Sequence, residues 1–312
     1  MPDRRAPRNR TLTLTAAERA RFAARLLRLD SGRQTTLSEI ENRIICGDIR
    51  ETATNLPHGF VDLLIADPPY NLTKNYHGRT FRETDRDAYE QWTESWLVPL
   101  LPLLKPAASV YVCCDWKSSA VIESVLSRHL TIRNRISWQR EKGRGAAQNW
   151  KNCVEDIWFA TNNDTWHFDA DAVRLRRKVL APYRVEGAPK DWKESGLGKY
   201  RDTAASNFWD DLTIPFWSMP ENTDHPTQKP EKLAARLILA SCPPDGLVFD
   251  PFLGSGTSAV TAKKLGRRFC GVEINEEYCA WAEKRLEDAN TNKRIQGYRD
   301  RIFLERNNPG IK

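Results

Sequence analysis

The 312-residue chain is short of several things, and each shortage excludes something. It has no uninterrupted apolar run of the ~18 residues that a membrane-crossing helix needs, so no span is expected. Its beginning, Met1-Pro2-Asp3-Arg4-Arg5, is not followed by an apolar segment, so no secretory leader is expected. The seven cysteines (Cys46, Cys113, Cys114, Cys153, Cys242, Cys270 and Cys279) form no C-x-x-C pair. The five histidines show neither H-E-x-x-H nor zinc-finger spacing. An odd set of thiols with apolar neighbours reads as buried free cysteine in a reducing cytoplasm, and no metal is expected. Internal repeats and low-complexity tracts are absent, and the composition excludes collagenous and disordered chains.

What is present fits a globular protein: 40% hydrophobic and 29% charged residues. Positive charge prevails, 48 Lys and Arg against 41 Asp and Glu, a net of +7. Part of the excess sits in residues 1–33, which hold nine Arg against Asp3, Glu18 and Asp30, 9 − 3 = +6. A basic balance with 11 Trp is compatible with a nucleic-acid partner, although most such aromatics are expected in the core.

Thr15-Ala16-Ala17-Glu18 reads as a capped helix start running to about Leu29, either a DNA-contacting arm or a helix lying on the body. Short apolar runs then alternate with helical stretches. Strands are expected at 43–46, 61–66, 110–114, 132–139, 156–160, 247–250 and 269–273. Helices are expected at 90–104, 118–129, 231–241, 257–265 and 276–289. The alternation predicts an α/β fold with a parallel sheet. Residues 140–222, rich in Lys, Arg, Trp, Gly and Asn, break this rhythm and read as an inserted region. The expected organisation is a basic arm (1–36), a first catalytic part (37–139), the insertion (140–222), a second part (223–289) and a polar basic tail (290–312).

Two motifs follow strands directly. Asp250-Pro251-Phe252-Leu253-Gly254-Ser255-Gly256-Thr257 opens a helix, where glycines admit close approach and free N–H groups face a ligand. Glu273 ends the next strand, where a carboxylate can grip ribose hydroxyls. A dinucleotide would want a third glycine, and Thr257-Ser258-Ala259 follows instead. A nucleoside cofactor without phosphates, such as S-adenosylmethionine, fits better. The other motif, Asp67-Pro68-Pro69-Tyr70, supplies a carboxylate, a carbonyl on a rigid turn and a flat ring, a set suited to an exocyclic amine on a planar base. A third segment, Asp224-His225-Pro226-Thr227-Gln228-Lys229-Pro230, has no role legible beyond helix entry.

These three segments, in this order, resemble the amino-methyltransferases of DNA in their β arrangement, over about residues 41–289. The resemblance implies a Rossmann-like S-adenosylmethionine-dependent methyltransferase sheet with an inserted target-recognition region. It implies Asp67, Pro68, Pro69 and Tyr70 as the catalytic motif acting on a flipped base. Cofactor contacts would come from Asp250, Phe252, Gly254, Ser255, Gly256, Thr257 and Glu273. Asp48 would lie near the adenine, and His225, Thr227 and Lys229 would line the methionine end beside Asp67. Asp at the first motif position goes with adenine N6 more often than with cytosine N4, where Ser is usual. Recognition would fall to 140–220, with Arg140, Lys142, Arg144, Lys151, Arg174, Arg176, Arg177 and Lys178 as candidate DNA contacts, and Lys74 outside that region as a further one. Lys74, His77 and Arg79 sit on a loop, 71–87, suited either to cover the base or to lie passively on the surface. Double-stranded DNA is the expected partner, in the cytoplasm at the nucleoid. A cognate restriction endonuclease and a homodimer stay open. An RNA or protein-amide methyltransferase is disfavoured, because those relatives carry Asn for Asp67 and place the cofactor motif first. A non-catalytic nucleic-acid-binding relative is disfavoured by the complete motifs.

Overall fold

The computed structural model describes residues 6–30, 32–140, 147–180, 182–195 and 198–305. Among the described residues, eight strands make the main sheet: β1 (Arg43–Cys46), β2 (Val61–Ala66), β3 (Leu104–Asp115), β4 (Thr131–Gln139), β5 (Val154–Thr161), β6 (Phe208–Trp209), β7 (Leu247–Asp250) and β8 (Arg268–Glu273). They lie in the order β1-β8-β7-β2-β3-β5-β4-β6. The five from β1 to β3 are mutually parallel, and β5 runs antiparallel between β3 and β4. The alternation of elements predicts this α/β fold; the sheet departs from all-parallel at β5, and its arrangement is the Rossmann-like one that the resemblance implies.

The strands read as apolar runs because helices cover both faces. Successive side chains take opposite faces, so Leu64, Val110 and Phe249 enter one core cluster while Leu63, Tyr111 and Val248 enter the other. The first face is covered by α2 (Arg86–Leu97) and α3 (Ser119–Ser127), through Tyr89, Trp96, Leu97, Ile122 and Val125. The second is covered by α4 (Glu231–Ser241), α5 (Thr257–Lys264) and α6 (Glu276–Asp288). Leu233, Leu237 and Ile238 of α4 are fully buried there, each stabilising the fold by about 1.5–3 kcal/mol.

Three sequence expectations shift. The helix expected over 90–104 starts at Arg86, capped by Asp85, and ends at Leu97. Pro99 and Pro102 cannot donate to an α-helical ladder, so Val98–Leu103 tightens into a 3-10 helix before β3 begins. The N-terminal helix, α1 (Ala16–Ala23), stops at Ala23, and Leu27 bridges Ile45 along the outer edge of β1. Cationic side chains of the helix and of the segment after it pair with the body: Arg19, Arg21, Arg25 and Arg28 with Glu277, Glu287, Glu287 and Glu276 of α6. The arm therefore lies on the body.

The tail expected after residue 290 supplies two strands. A second sheet has the order Lys193–Ser195, Gly198–Thr203, Leu175–Lys178, Ile302–Leu304, Tyr298–Arg299. Phe303 drives this, fully buried beside Val173, Leu175 and Ala235 of α4. Helix α4 is thus buried almost all round, and its charges are paired: Lys232 and Arg236 with Asp211, and Glu231 with Lys264 and Arg285. The stretch 140–222 contributes β5 and β6 to the main sheet and three strands to the second.

Candidate active site

Strands β2 and β7 are adjacent although about 180 residues separate them, Leu64 pairing with Phe249. Their carboxyl ends therefore bring Asp67-Pro68-Pro69-Tyr70 against Asp250-Pro251-Phe252-Leu253-Gly254-Ser255-Gly256. Ligands of open α/β sheets bind at such an edge. A cavity of about 380 Å³ lies between the two loops. Asp48, Asp67, Pro68, Pro69, Tyr70, His225, Thr227, Lys229, Asp250, Phe252, Gly254, Ser255, Thr257 and Glu273 all line it. Of the catalytic and cofactor residues expected from the sequence, Gly256 is the one that does not line it.

The glycine loop is held in shape from several sides. Gly254 and Gly256 have φ of +54° and +87°, the left-handed region. A Cβ at Gly256 would stand 2.6 Å from the Cβ of Ala282, so α6 packs directly on the loop. The Gly254 amide donates to Glu273 Oε2 at 2.8 Å, and the Asn275 amide to Oε1 at 2.7 Å. Each carboxylate oxygen keeps a second lone pair for a ligand hydroxyl. Burial pushes the Glu273 carboxyl up. Asp250 accepts from the Phe252 amide at 2.9 Å and from the Ser258 hydroxyl. Burial raises its carboxyl to about 7, with the Ser258 bond working the other way. Phe252 packs edge-on against Trp96 at 5.1 Å, presenting an apolar wall. Asp48 caps the short helix Ile49–Thr52 and pairs with Arg50 at 2.7 Å. Burial works to raise its carboxyl, but the hydrogen bonds and charge of Arg50 outweigh that and lower it.

The catalytic motif meets the third segment here. Lys229 Nζ lies 2.6 Å from both oxygens of Asp67. The Tyr70 hydroxyl is 3.1 Å from Asp67 Oδ1 and 3.1 Å from Glu155 Oε2. Pro69 is pinned through its carbonyl, which accepts from Tyr89 at 3.0 Å. His225 sits edge-on to Tyr278 at 4.5 Å. Burial, then the neighbouring Lys229 and Lys74, lower its imidazolium to about 3, so the ring is neutral near pH 7. Its Nδ1 accepts from the Thr227 amide at 3.4 Å. The Thr257 hydroxyl donates to the Lys229 carbonyl at 3.0 Å, tying the third segment to the glycine loop.

The segment after Tyr70 forms a small hairpin, Lys74–Tyr76 with Arg79–Phe81, whose Tyr76, Arg79, Thr80 and Phe81 wall the cavity. Asn71 clips its base, donating to the Thr84 carbonyl at 2.8 Å and accepting from the Thr84 amide at 2.9 Å. His77 packs on Tyr278 and Trp281, and Lys74 reaches the Pro226 carbonyl at 3.4 Å.

The candidate DNA contacts scatter. Arg140 turns inward and pairs with Glu155. Arg176 makes a two-point pair with Asp202 at 2.7 and 2.8 Å, and Arg177 pairs with Asp210 at 3.2 Å. Arg174 pairs with Asp171 at 2.9 Å on the surface. Lys151 and Lys178 are exposed. Lys142 and Arg144 lie outside the described residues.

Sequence reasoning gave no site role to three buried charged residues, Arg285, Glu155 and Asp156. Arg285, buried on α6, donates to the Ser255 carbonyl at 2.7 Å and pairs with Glu231 at 3.1 Å, bracing the glycine loop. The signal was there: Tyr278, Ala282, Arg285 and Ala289 form one helical stripe, and a cation in such a stripe needs a partner. Glu155 and Asp156 interrupt the apolar strand Val154–Thr161, and both are buried. The cavity offers what the expected cofactor needs: a glycine-lined loop, a carboxylate with spare lone pairs, an aromatic wall and a neutral imidazole.

A DNA methylase family model matches residues 61–284. The chain is 32% identical over 250 residues to the DNA adenine methyltransferase YhdJ of Escherichia coli, covering 79% of this chain and 83% of that one. It is 31% identical over 251 residues to the type II methyltransferase M.HpaI of Haemophilus parainfluenzae, covering 80% and 75%. Its fold is similar to a solved M1.HpyAVI–SAM complex (TM-score 0.54, 24% identity, 78% of this chain, 98% of that one). It is also similar to the cytosine-N4-specific PvuII DNA methyltransferase (TM-score 0.59, 19% identity, 85% and 93%). The chain belongs to the DNA methylase family, whose members use S-adenosylmethionine to methylate exocyclic amines of DNA bases.

Proposed function

We propose that this enzyme methylates the N6 amine of adenine in double-stranded DNA at a particular sequence. The observation that carries the reading is Asp67: a carboxylate at the end of β2, directly across from the glycine loop that ends β7. Support also comes from the adenine-specific relative in Escherichia coli. An amine inside a duplex cannot reach such a recess, so the base leaves the stack to enter it. The Tyr70 ring would stack on the base. Asp67 and the Pro68 carbonyl would accept the two amine hydrogens, drawing the nitrogen lone pair out of conjugation and aiming it along the cavity. Glu273, Asp250 and the Gly254 loop would hold the nucleoside end of the cofactor, and neutral His225 would line its far end without adding charge. When bound, S-adenosylmethionine supplies a sulfonium methyl as the electrophile. Positioning and charge placement by these groups would provide most of the rate. Exposed cations such as Lys151, Arg174 and Lys178 would meet phosphates and set affinity, while sequence is read elsewhere. A cognate endonuclease recognising the same site fits the type II relatives.

The test is nucleoside mass spectrometry of unmethylated genomic DNA incubated with the enzyme and S-adenosylmethionine, with Asp67→Ala as control. N6-methyladenine absent from the control is the expected result. N4-methylcytosine would overturn Asp67 as a selector of adenine while keeping the mechanism. Neither product, despite cofactor binding, would overturn DNA as the substrate.

A further inference from the structure

The catalytic carboxylate is already occupied. Lys229 touches both oxygens of Asp67 at 2.6 Å, and Oδ1 also meets the Tyr70 hydroxyl. A neutral amine does not displace an ammonium from a carboxylate, because the ammonium adds a full ion–ion attraction to its hydrogen bonds. Oδ1 is filled and Oδ2 keeps one lone pair beside Lys229, so the base amine meets a full, unneutralised carboxylate only when Lys229 leaves Asp67. Lys229 is almost buried, and moving an ammonium away from all partners into such a recess is prohibitively costly.

Glu155 offers the way out. Its Oε2 lies 3.8 Å from Lys229 Nζ, so a shift of about 1 Å would complete a second ion pair of ordinary length. The same oxygen is 3.1 Å from the Tyr70 hydroxyl. Arg140 pairs with Oε1, which keeps the buried Glu155 carboxylate compensated in both arrangements. Asp67, Glu155, Lys229 and Arg140 together carry no net charge, wherever Lys229 sits. We propose that Glu155 is a positioning residue of methyl transfer: it gives Lys229 a second seat, freeing Asp67 for the base amine while anchoring Tyr70. The proposal rests on the reading of Asp67 and Tyr70 as the base-binding pair. No bond is made or broken in the step. One ion pair is exchanged for another inside a constant set of charges.

The direct test is a crystal structure of the full-length protein with sinefungin and a duplex carrying the methylated sequence, mapped by single-molecule sequencing of treated genomic DNA. Lys229 is expected within ion-pair distance of Glu155, with the base amine on Asp67. Lys229 still seated on Asp67 beside a bound base would overturn the proposal.

The second test is a double-mutant cycle in single-turnover methylation. Glu155→Gln keeps an acceptor for Tyr70 but removes the charge. Its rate is expected to fall roughly ten- to a hundred-fold, the scale of an ångström-level misplacement, with S-adenosylhomocysteine affinity unchanged. With Lys229→Met already in place, Glu155→Gln is expected to cost little more. Full additivity would mean that Glu155 is merely structural and would sink the idea. Glu155→Asp, which retains the charge, should recover part of the rate and serves if the Gln variant folds poorly. If the unaltered enzyme methylates nothing, the parent reading fails and this one falls with it. Methylation together with an unmoved Lys229 refutes this inference alone.

Discussion

Gly256→Ala is the sharpest test of how the cofactor loop is built. Gly256 has φ +87°, where a side chain costs about 1–2 kcal/mol. The added Cβ would meet the Ala282 Cβ at 2.6 Å and its Cα at 3.0 Å. Neither atom can swing away, because Ala282 is buried in α6, and such overpacking costs about 1–3 kcal/mol. Together the two terms give about 2–5 kcal/mol, which at ~2–4 °C per kcal/mol lowers the melting temperature by about 4–20 °C. Gly266 is the control, with φ +70° and nothing within 4 Å of the position that a Cβ would take, so only the backbone term applies. The assay is thermal unfolding of both alanine variants, with S-adenosylhomocysteine affinity by calorimetry. Gly256→Ala should lose clearly more stability than Gly266→Ala and should also lose affinity. Equal losses, with affinity intact, would refute the claim that α6 sets the loop.

Three further outcomes follow from named contacts. Arg285→Met should destabilise by about 1.5–3 kcal/mol and weaken cofactor binding, because the Ser255 carbonyl loses its donor and Glu231 one of its two cationic partners, Lys264 remaining; urea unfolding and calorimetry read both. Asp250 and His225 should pull stability in opposite directions with pH. The Asp250 carboxyl, raised by burial from 3.8 to about 7, contributes stability that is present below pH 3.8 and lost as pH rises through about 7. The His225 ring, lowered by burial from 6.5 to about 3, contributes stability that is present above pH 6.5 and lost as pH falls through about 3. Asp250→Asn should therefore make stability climb more steeply between about pH 4 and 7, and His225→Gln should flatten the climb; urea midpoints across that window decide it. Lys151→Ala should lower the slope of log affinity against log salt by about 0.9 with no change in melting temperature, as expected for a phosphate contact. Arg176→Ala, which breaks the pair with Asp202, should instead move the melting temperature; equal salt slopes for the two variants would count against this division.

The parallel core and the two motif loops were legible in the sequence because each rests on local rules. Apolar runs of strand length mark the sheet, and a proline or glycine turn marks the carboxyl end of the strand before it. That β2 and β7 are neighbours was not legible from spacing, since strand order depends on how the crossovers pack. The partners of the motif were harder still. Glu155 and Asp156 stand together in a mostly apolar strand, and nothing local says that the Glu155 carboxylate faces Tyr70 rather than solvent. Arg285 could be found only by asking what a cation does on a buried helical stripe. The tail strands were missed because Ile302–Leu304 is three residues long, too short for periodicity to speak, and Phe303 acquires its burial from residues distant in sequence, Val173, Leu175 and Ala235.

Charge was the least transferable signal. Counting Lys and Arg treats each as available to a phosphate, but availability is decided by what stands beside it. Arg19, Arg21, Arg25 and Arg28 face the acidic residues of α6, Arg140 neutralises a buried carboxylate, and Arg176 and Arg177 are matched to Asp202 and Asp210. The exposed pairs among these are worth only about 0–1 kcal/mol each and can be exchanged for phosphate contacts. The pair of Arg140 with Glu155 cannot, because releasing it would leave a buried carboxylate uncompensated. A basic composition thus divides into charges that DNA can recruit and charges that the catalytic site has already committed. Only the first kind should appear in the salt dependence of binding.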